Sequence, residues 1–252
     1  TDPSNYDFQG TAFTGVFDGG GHVLRNYVIN QPASDYVGLF GQVGSGGQIM
    51  NLGAEPIQVT GRYYVGGLCG ENFSTITSCY ATGAVSGTSY VGGLCGENHY
   101  YSTITSCYAM GAVSGTDSVG GLCGENNYYS TISGSFWDIQ TSGRTTSAGG
   151  TGKTTAQMQT LFTFTSAGWD FSTVWKMLRE NEDYPRLIWQ EEFAGDIAGL
   201  YGVDLIDFSY LSQHWGLADC GGADDCGRAD IDSSGDVGIG DLLNIANDWL
   251  KR

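Results

Sequence analysis

The chain has 252 residues, of which 41 are glycine and 4 proline; 13% are aromatic and only 15% are charged. Ten basic against 27 acidic side chains give a formal charge of −17, which excludes a basic face able to displace counterions from nucleic acid. Such a composition suits short strands and tight turns, not helical repeats.

The charge is uneven. Residues 1–133 carry nine acids and two bases, 134–190 five of each, and 191–252 thirteen acids and three bases. That gradient favours a cation as a partner of the last quarter. No apolar run is long enough to span a bilayer and no charged-apolar leader opens the chain, so it reads as soluble and already processed. Glycine-rich repeats, few lysines and arginines and an acidic tail point to an extracellular, secreted or surface setting.

Over residues 1–136 one template recurs. V-G-G-L-C-G-E-N begins at Val65, Val91 and Val119, and a shortened V-G-L-F-G begins at Val37, giving steps of 28, 26 and 28 residues. Coils of that length cannot bury an apolar face alone and must stack. A second string, S-T-I-T-S-C-Y at 74–80, recurs at 102–108 and, altered, at 130–136; degenerate copies lie at 48–52 and 22–27. About five coils are therefore expected, roughly 4.8 Å apart. A corner near Ser78 would turn both Ile76 and Cys79 inward, and the glycines around Leu68 and Cys69 would permit tight bends and close backbone approach.

Cys69, Cys95 and Cys123 share one repeat position and Cys79 and Cys107 another, so both sets should stack as small buried thiols. Glu71, Glu97 and Glu125 recur without a recurring lysine, arginine or histidine beside them. They read as a solvated row or a weak cation row, and the checklist for catalysis stays nearly empty. Thr75, Thr77, Thr103, Thr105, Thr131 and Ser133 make either a hydroxyl ladder like the ice-facing strands of some solenoids or ordinary strand surface. Tyr100, Tyr101, Tyr128 and Tyr129 sit in turns two residues longer than the turn at Phe73, suiting glycan or protein contact, or local packing. Asn72 opens the only N-x-S/T sequon, a candidate for N-glycosylation.

The G-L-C-G core, with G-V-F-D-G-G-G-H at 15–22, resembles the GLUG-motif repeats of bacterial surface and secreted proteins over about residues 10–136. The resemblance implies a parallel β-solenoid in an extracellular, often adhesive or structural, setting, and offers no catalytic residues to carry over.

Residues 137–190 break the period. Trp137, Trp169, Phe171, Trp175 and Trp189 predict an aromatic cap over the open end of the column. Glycines 149, 150 and 152 before Lys153 and Thr154 imitate a phosphate loop, but Ser147 stands where the first glycine belongs and no apolar strand leads in. Thr154 with Gln157 instead predicts a capped helix start.

In 191–252, Asp230, Asp232, Ser234, Asp236 and Asp241 fall at positions 1, 3, 5, 7 and 12 of a loop with Gly235 at position 6. Side-chain oxygens at 1, 3, 5 and 12, a backbone carbonyl at 7 and a glycine for the sharp turn suit seven-coordinate Ca2+. Val237 would anchor the loop, and Asp241 would open a helix over 242–250. An upstream copy keeps Asp196 and Asp207 at its ends but has Ala198 and Leu200 at positions 3 and 5 and Tyr201 in place of the glycine, leaving a second calcium doubtful. Cys220 and Cys226, in a Gly/Asp-rich loop, suit a disulfide. The paired copies over about 194–252 resemble a small α-helical dockerin domain, which implies that two calcium-loop helices present a face to a cohesin-like partner.

The expectation is thus a non-enzymatic extracellular scaffold, mainly β, whose calcium-ordered module docks a protein or a neighbouring protomer, with filament-like assembly through the uncovered first coil. The alternative is a dockerin-tethered protein that binds or cleaves polysaccharide.

Overall fold

Stacking of identical positions makes a parallel β-solenoid. The computed structural model describes residues 8, 10–188, 205–220, 226 and 229–249, in two units, 1–190 and 191–252. One sheet contains Val16–Asp18, Gln48–Met50, Thr75–Thr77, Thr103–Thr105 and Thr131–Ser133, every pairing parallel. The strands of the octapeptides, Cys69–Asn72, Cys95–Asn98 and Cys123–Asn126, stack on Phe40–Val43 in a second sheet. Tyr63–Gly66, Ser89–Gly92 and Asp117–Gly120 form a third, and a fourth runs through Gly53–Thr60, Tyr80–Ser86, Tyr108–Met110 and Phe136–Asp138. One sheet reaches six levels, a second five and the others four and three, and the levels that most sheets share make about four full turns, fewer than the five coils expected.

Parallel in-register pairing lays like on like. Ile49, Ile76, Ile104 and Ile132 stack in one interior column, Val65, Val91 and Val119 in another, and Cys69, Cys95 and Cys123 in a third. Five cysteines are buried free thiols, as expected. The expected corner falls at Ser78, and Ser106 and Gly134 repeat it, with φ of 52°, 52° and 53°. In the octapeptide the first glycine makes the bend: a Cβ at Gly66, Gly92 or Gly120 would lie 2.1, 2.0 or 1.9 Å from the carbonyl oxygen of the cysteine three residues on.

The end of the column is closed differently from the expected aromatic cap. Trp137 stacks on Ala109 and turns into the core, where a Cβ at Gly121 would meet its ring at 2.0 Å. The chain then recrosses over 144–153. Thr146 O accepts from Gly121 N at 3.1 Å, Ser147 Oγ from Cys123 N at 2.9 Å, and Thr151–Lys153 pairs with Phe136–Asp138. The phosphate-loop imitation is therefore structural: Gly149 lies over Ile132, and the following helix Thr155–Met158 has the expected capping box between Thr154 and Gln157.

The large aromatics line a flank. Tyr80, Tyr108 and Phe136 alternate with interior Ala81, Ala109 and Trp137, so they face outward. Trp175 packs against both Tyr80 and Tyr108, Trp169 against Tyr108 and Phe136, and Phe164 against Phe136. Because Trp175 touches two successive coils, this segment runs along the side of the column. Asp138, fully buried, ties it down: its carboxylate caps helix Ile139–Ser142 and accepts from Thr155 Oγ1 at 2.7 Å and from Tyr184 Oη.

The second unit packs helices Leu205–His214 and Ile239–Trp249 around Leu211, Cys220, Ala229, Val237 and Ile245. Cys220 and Cys226 form the expected disulfide. Among the described residues no helix is long and apolar enough to cross a membrane.

Candidate functional site

The acidic loop is assembled around its own backbone. Gly235 adopts φ 92°, the left-handed turn for which a glycine at position 6 was expected. Asp230, Asp232 and Asp241 each bring a carboxylate oxygen within 4.8 Å of the others. Asp241, fully buried in the first turn of its helix, accepts from Ile231 N at 2.6 Å, Asp232 N at 3.1 Å and Gly238 N at 2.7 Å. Asp230 accepts from Ser234 N and Gly235 N at 2.9 and 3.0 Å. The Asp236 side chain stands outside the carboxylate group, and its backbone carbonyl accepts from Ser234 Oγ at 3.1 Å.

Three converging carboxylates fit a hard divalent cation. A further fit is steric: a Cβ at Gly240 would lie 1.8 Å from Asp232 Oδ2, so position 11 must be bare for that carboxylate to turn inward. Asp230, Asp232 and Asp241 would hold the ion, with the Ser234 hydroxyl and the Asp236 carbonyl completing the oxygen set. Bound there, calcium would offset two of the three carboxylate charges. Val237, 2% exposed, anchors the loop in the core as expected.

One support was not foreseen from the sequence. Val237 N donates to Leu217 O at 2.8 Å, Gly216 N to Val237 O at 2.9 Å and Cys220 N to Gly235 O at 3.0 Å, so the segment leading into the disulfide braces the loop. In the upstream copy, Asp207 is fully buried in the first turn of its helix, and Asp196 lies outside the described residues.

The repeated glutamates depart from the solvated row expected of them. Glu71 and Glu97 are only 6% and 7% exposed. Tyr36, Tyr64 and Tyr90 stack beside the row with ring centroids 4.6 and 4.7 Å apart. Burial, then the charges of Glu71 and Glu125, push the Glu97 carboxyl up to about 7. Gln42 Nε2 donates to Glu71 at 2.6 Å, Asn127 Nδ2 to Glu125 at 2.5 Å, and His99 Nδ1 lies 3.8 Å from Glu71.

Asn72 corrects a second expectation. It is fully buried, and its Nδ2 donates to Asn98 Oδ1 at 2.8 Å while Asn98 Nδ2 donates to Asn126 Oδ1 at 2.8 Å. An interior amide ladder has no room for a glycan, so the folded sequon is closed. The four turn tyrosines are the reverse, 60–81% exposed. Thr75, Thr103 and Thr131 do align on one face, as do Thr77, Thr105 and Ser133.

The parallel sheets and in-register columns define a β-solenoid repeat protein. Two of its coils, residues 61–86 and 87–114, match the family model described as the GLUG motif. Over 75 residues the chain is 37% identical to halomucin of Haloquadratum walsbyi, a stretch that is 30% of this chain and 1% of halomucin. A solved structure from Bacteroides ovatus, provisionally named an immunoglobulin A1 protease, aligns over 69% of this chain and 77% of that one, with 18% identity and a TM-score of 0.46.

Proposed function

We propose that this chain is a non-enzymatic extracellular scaffold, a GLUG-repeat column carrying a dockerin-like module that calcium orders for docking to a cohesin-like protein domain or a neighbouring protomer. The observation that carries the reading is the convergence of Asp230, Asp232 and Asp241 at the start of a helix, with Gly235 and Gly240 shaping the loop. The likeness to halomucin supports the extracellular setting. The burial of Glu71 and Glu97 supports a non-catalytic column, because two of the three recurring carboxylates are closed to a substrate. Among the described residues, Val16–Asp18 pairs on one side only, whereas 144–153 crosses the other end. Docking through the module is therefore favoured over coil-on-coil stacking.

Calorimetric titration of the chelator-stripped chain with Ca2+, paired with electron microscopy in calcium and in chelator, tests this. Saturable binding that Asp230→Asn or Asp232→Asn abolishes, with assembly or partner capture only in calcium, is expected. No calcium heat and no calcium-dependent thermal shift would refute the module's role, and cleavage of a polysaccharide would refute the non-enzymatic reading.

A further inference from the structure

The turns after Asn98 and Asn126 carry side chains that the stacking of the coils does not use. The coil beginning at Val65 passes from Asn72 to Thr75 through Phe73 and Ser74 alone, and it stacks in full register with its neighbours. The next two coils each insert two residues there, and in both the insert is a tyrosine pair. The column does not need them. All four tyrosines adopt left-handed backbone, with φ of 56°, 58°, 50° and 63°, a conformation that is costly for a bulky side chain. They hold it while exposing 60%, 65%, 63% and 81% of their surface, so packing gives little back.

The rings are nevertheless ordered. Tyr101 and Tyr129 stack across the coils with centroids 5.4 Å apart and planes 18° from parallel, and Tyr100 meets Tyr101 edge-on at 5.3 Å. Tyr128 stands edge-on to His99 at 4.7 Å, and His99 in turn packs edge-on to Phe73. Tyr101 N donates to Tyr128 O at 3.0 Å, locking one turn on the other. Thr103 and Thr131 begin the strands that follow the two turns.

The surroundings select the ligand. Between residues 29 and 161 these four rings are the only large hydrophobic side chains exposed. No lysine or arginine occurs between Arg62 and Arg144, while Glu71, Glu97, Glu125 and Asp117 fall in that span. A protein hot spot would combine its aromatics with arginine, and a polyanion would need cations. Ordered aromatic faces on coils that carry no lysine or arginine over 63–143 suit the C–H faces of an uncharged sugar chain, and the tyrosine hydroxyls suit its own hydroxyls. We propose that Tyr100, Tyr101, Tyr128 and Tyr129 form a binding ridge for a neutral polysaccharide, independent of the calcium loop.

Native affinity electrophoresis of the full chain in gels containing hydroxyethylcellulose, galactomannan or mixed-linkage β-glucan, with polygalacturonate as the anionic comparison, tests the ridge. At least one neutral polymer should retard the chain equally in calcium and in chelator. Tyr101→Ala with Tyr129→Ala should weaken that retardation about tenfold or more without moving the thermal unfolding midpoint. A second variant, deleting both tyrosine pairs to restore the shorter turn of the coil at Val65, should abolish it. The proposal is overturned if no neutral polymer retards the chain, if polygalacturonate retards it as strongly, or if the tyrosine variants keep the retardation, and a protein captured through the ridge without any sugar binding overturns it too. Loss of retardation in chelator alone would count against the ridge, not against the calcium module.

Discussion

Glu97→Gln is the most informative single change to the column. In-register strands hold Glu97 between Glu71 and Glu125, each about 4.8 Å away along the axis. Its 7% exposure and those two carboxylates raise its pKa from 4.5 to about 7. The groups facing it are the Asn127 amide and the hydroxyls of Tyr64 and Tyr90, while His99, two residues on in the same coil, reaches Glu71 one level down; both tyrosines are themselves pushed up, first by burial and then by the glutamates. A folded-state pKa above the unfolded value means that the native state holds the proton more tightly. The protonated form is therefore fully stable below about pH 4.5, and stability is lost as pH rises towards about 7. At about 1.4 kcal/mol per unit the loss is on the order of 2 to 3 kcal/mol after allowing for water at the outer oxygen. Glutamine keeps the shape and cannot ionise. Urea unfolding in chelator, at about pH 4 and about pH 8, should show Glu97→Gln gaining that amount over the parent between the two. An equal difference at both pH values would refute the buried-proton account.

Three further outcomes follow from the interior. Asn98→Ala removes the middle of the amide ladder, leaving buried Asn72 Nδ2 with only its longer bonds to Ser74 O and Thr103 O and depriving half-buried Asn126 Oδ1 of its donor; a loss of about 1 to 3 kcal/mol is expected in denaturant unfolding. Gly92→Ala sets a methyl 2.0 Å from Cys95 O, against backbone that cannot yield, and should leave little folded protein by circular dichroism, unlike Gly143→Ala, where nothing lies within 4 Å and only the φ of 65° resists. The five interior thiols should be silent to an aromatic disulfide reagent in the native state and react in full on unfolding, because burial raises Cys79 and Cys95 well above the free thiol.

Much of the column was legible because parallel register makes a sequence repeat and a spatial repeat the same thing. Cys69, Ile76 and Cys79 could be assigned inward from spacing and corner chemistry alone, and all three are fully buried. Two errors share one cause, the reading of polar residues in a turn as solvent-facing. The signal for Asn72 was present: the matching residue in the degenerate coil is Val43, fully buried, so that position faces the core. The burial of Glu71 and Glu97 was not legible, since it depends on a stack of tyrosines at 36, 64 and 90 held at φ of 55° to 57°. The flank was half legible: Tyr80, Tyr108 and Phe136 recur beside inward Ala81, Ala109 and Trp137, and a row of outward aromatics requires a cover. That the cover would be Trp169 and Trp175 follows only from where the chain returns after 153.

Where the repeat is perfect, each side chain meets its own kind on the coils above and below, and the fold consumes it. Amides saturate amides in the asparagine ladder, thiols lie against thiols, and even glutamate is drawn into a column that one of its members can occupy cheaply only with a proton. Chemistry left for a partner must then come from departures from the period. The chain has two kinds: the tyrosine pairs that lengthen two turns without altering the strands on either side, and the Asp230, Asp232 and Asp241 group, which lies wholly outside the repeats. An insertion in a solenoid coil costs little because neighbouring strands keep their register, so a binding feature can be added coil by coil. This predicts that transferring a His99-Tyr100-Tyr101-Ser102 turn onto the coil at Phe73 would extend the ridge by one step, with the stack of Tyr101 and Tyr129 gaining a third ring and the column keeping its unfolding midpoint.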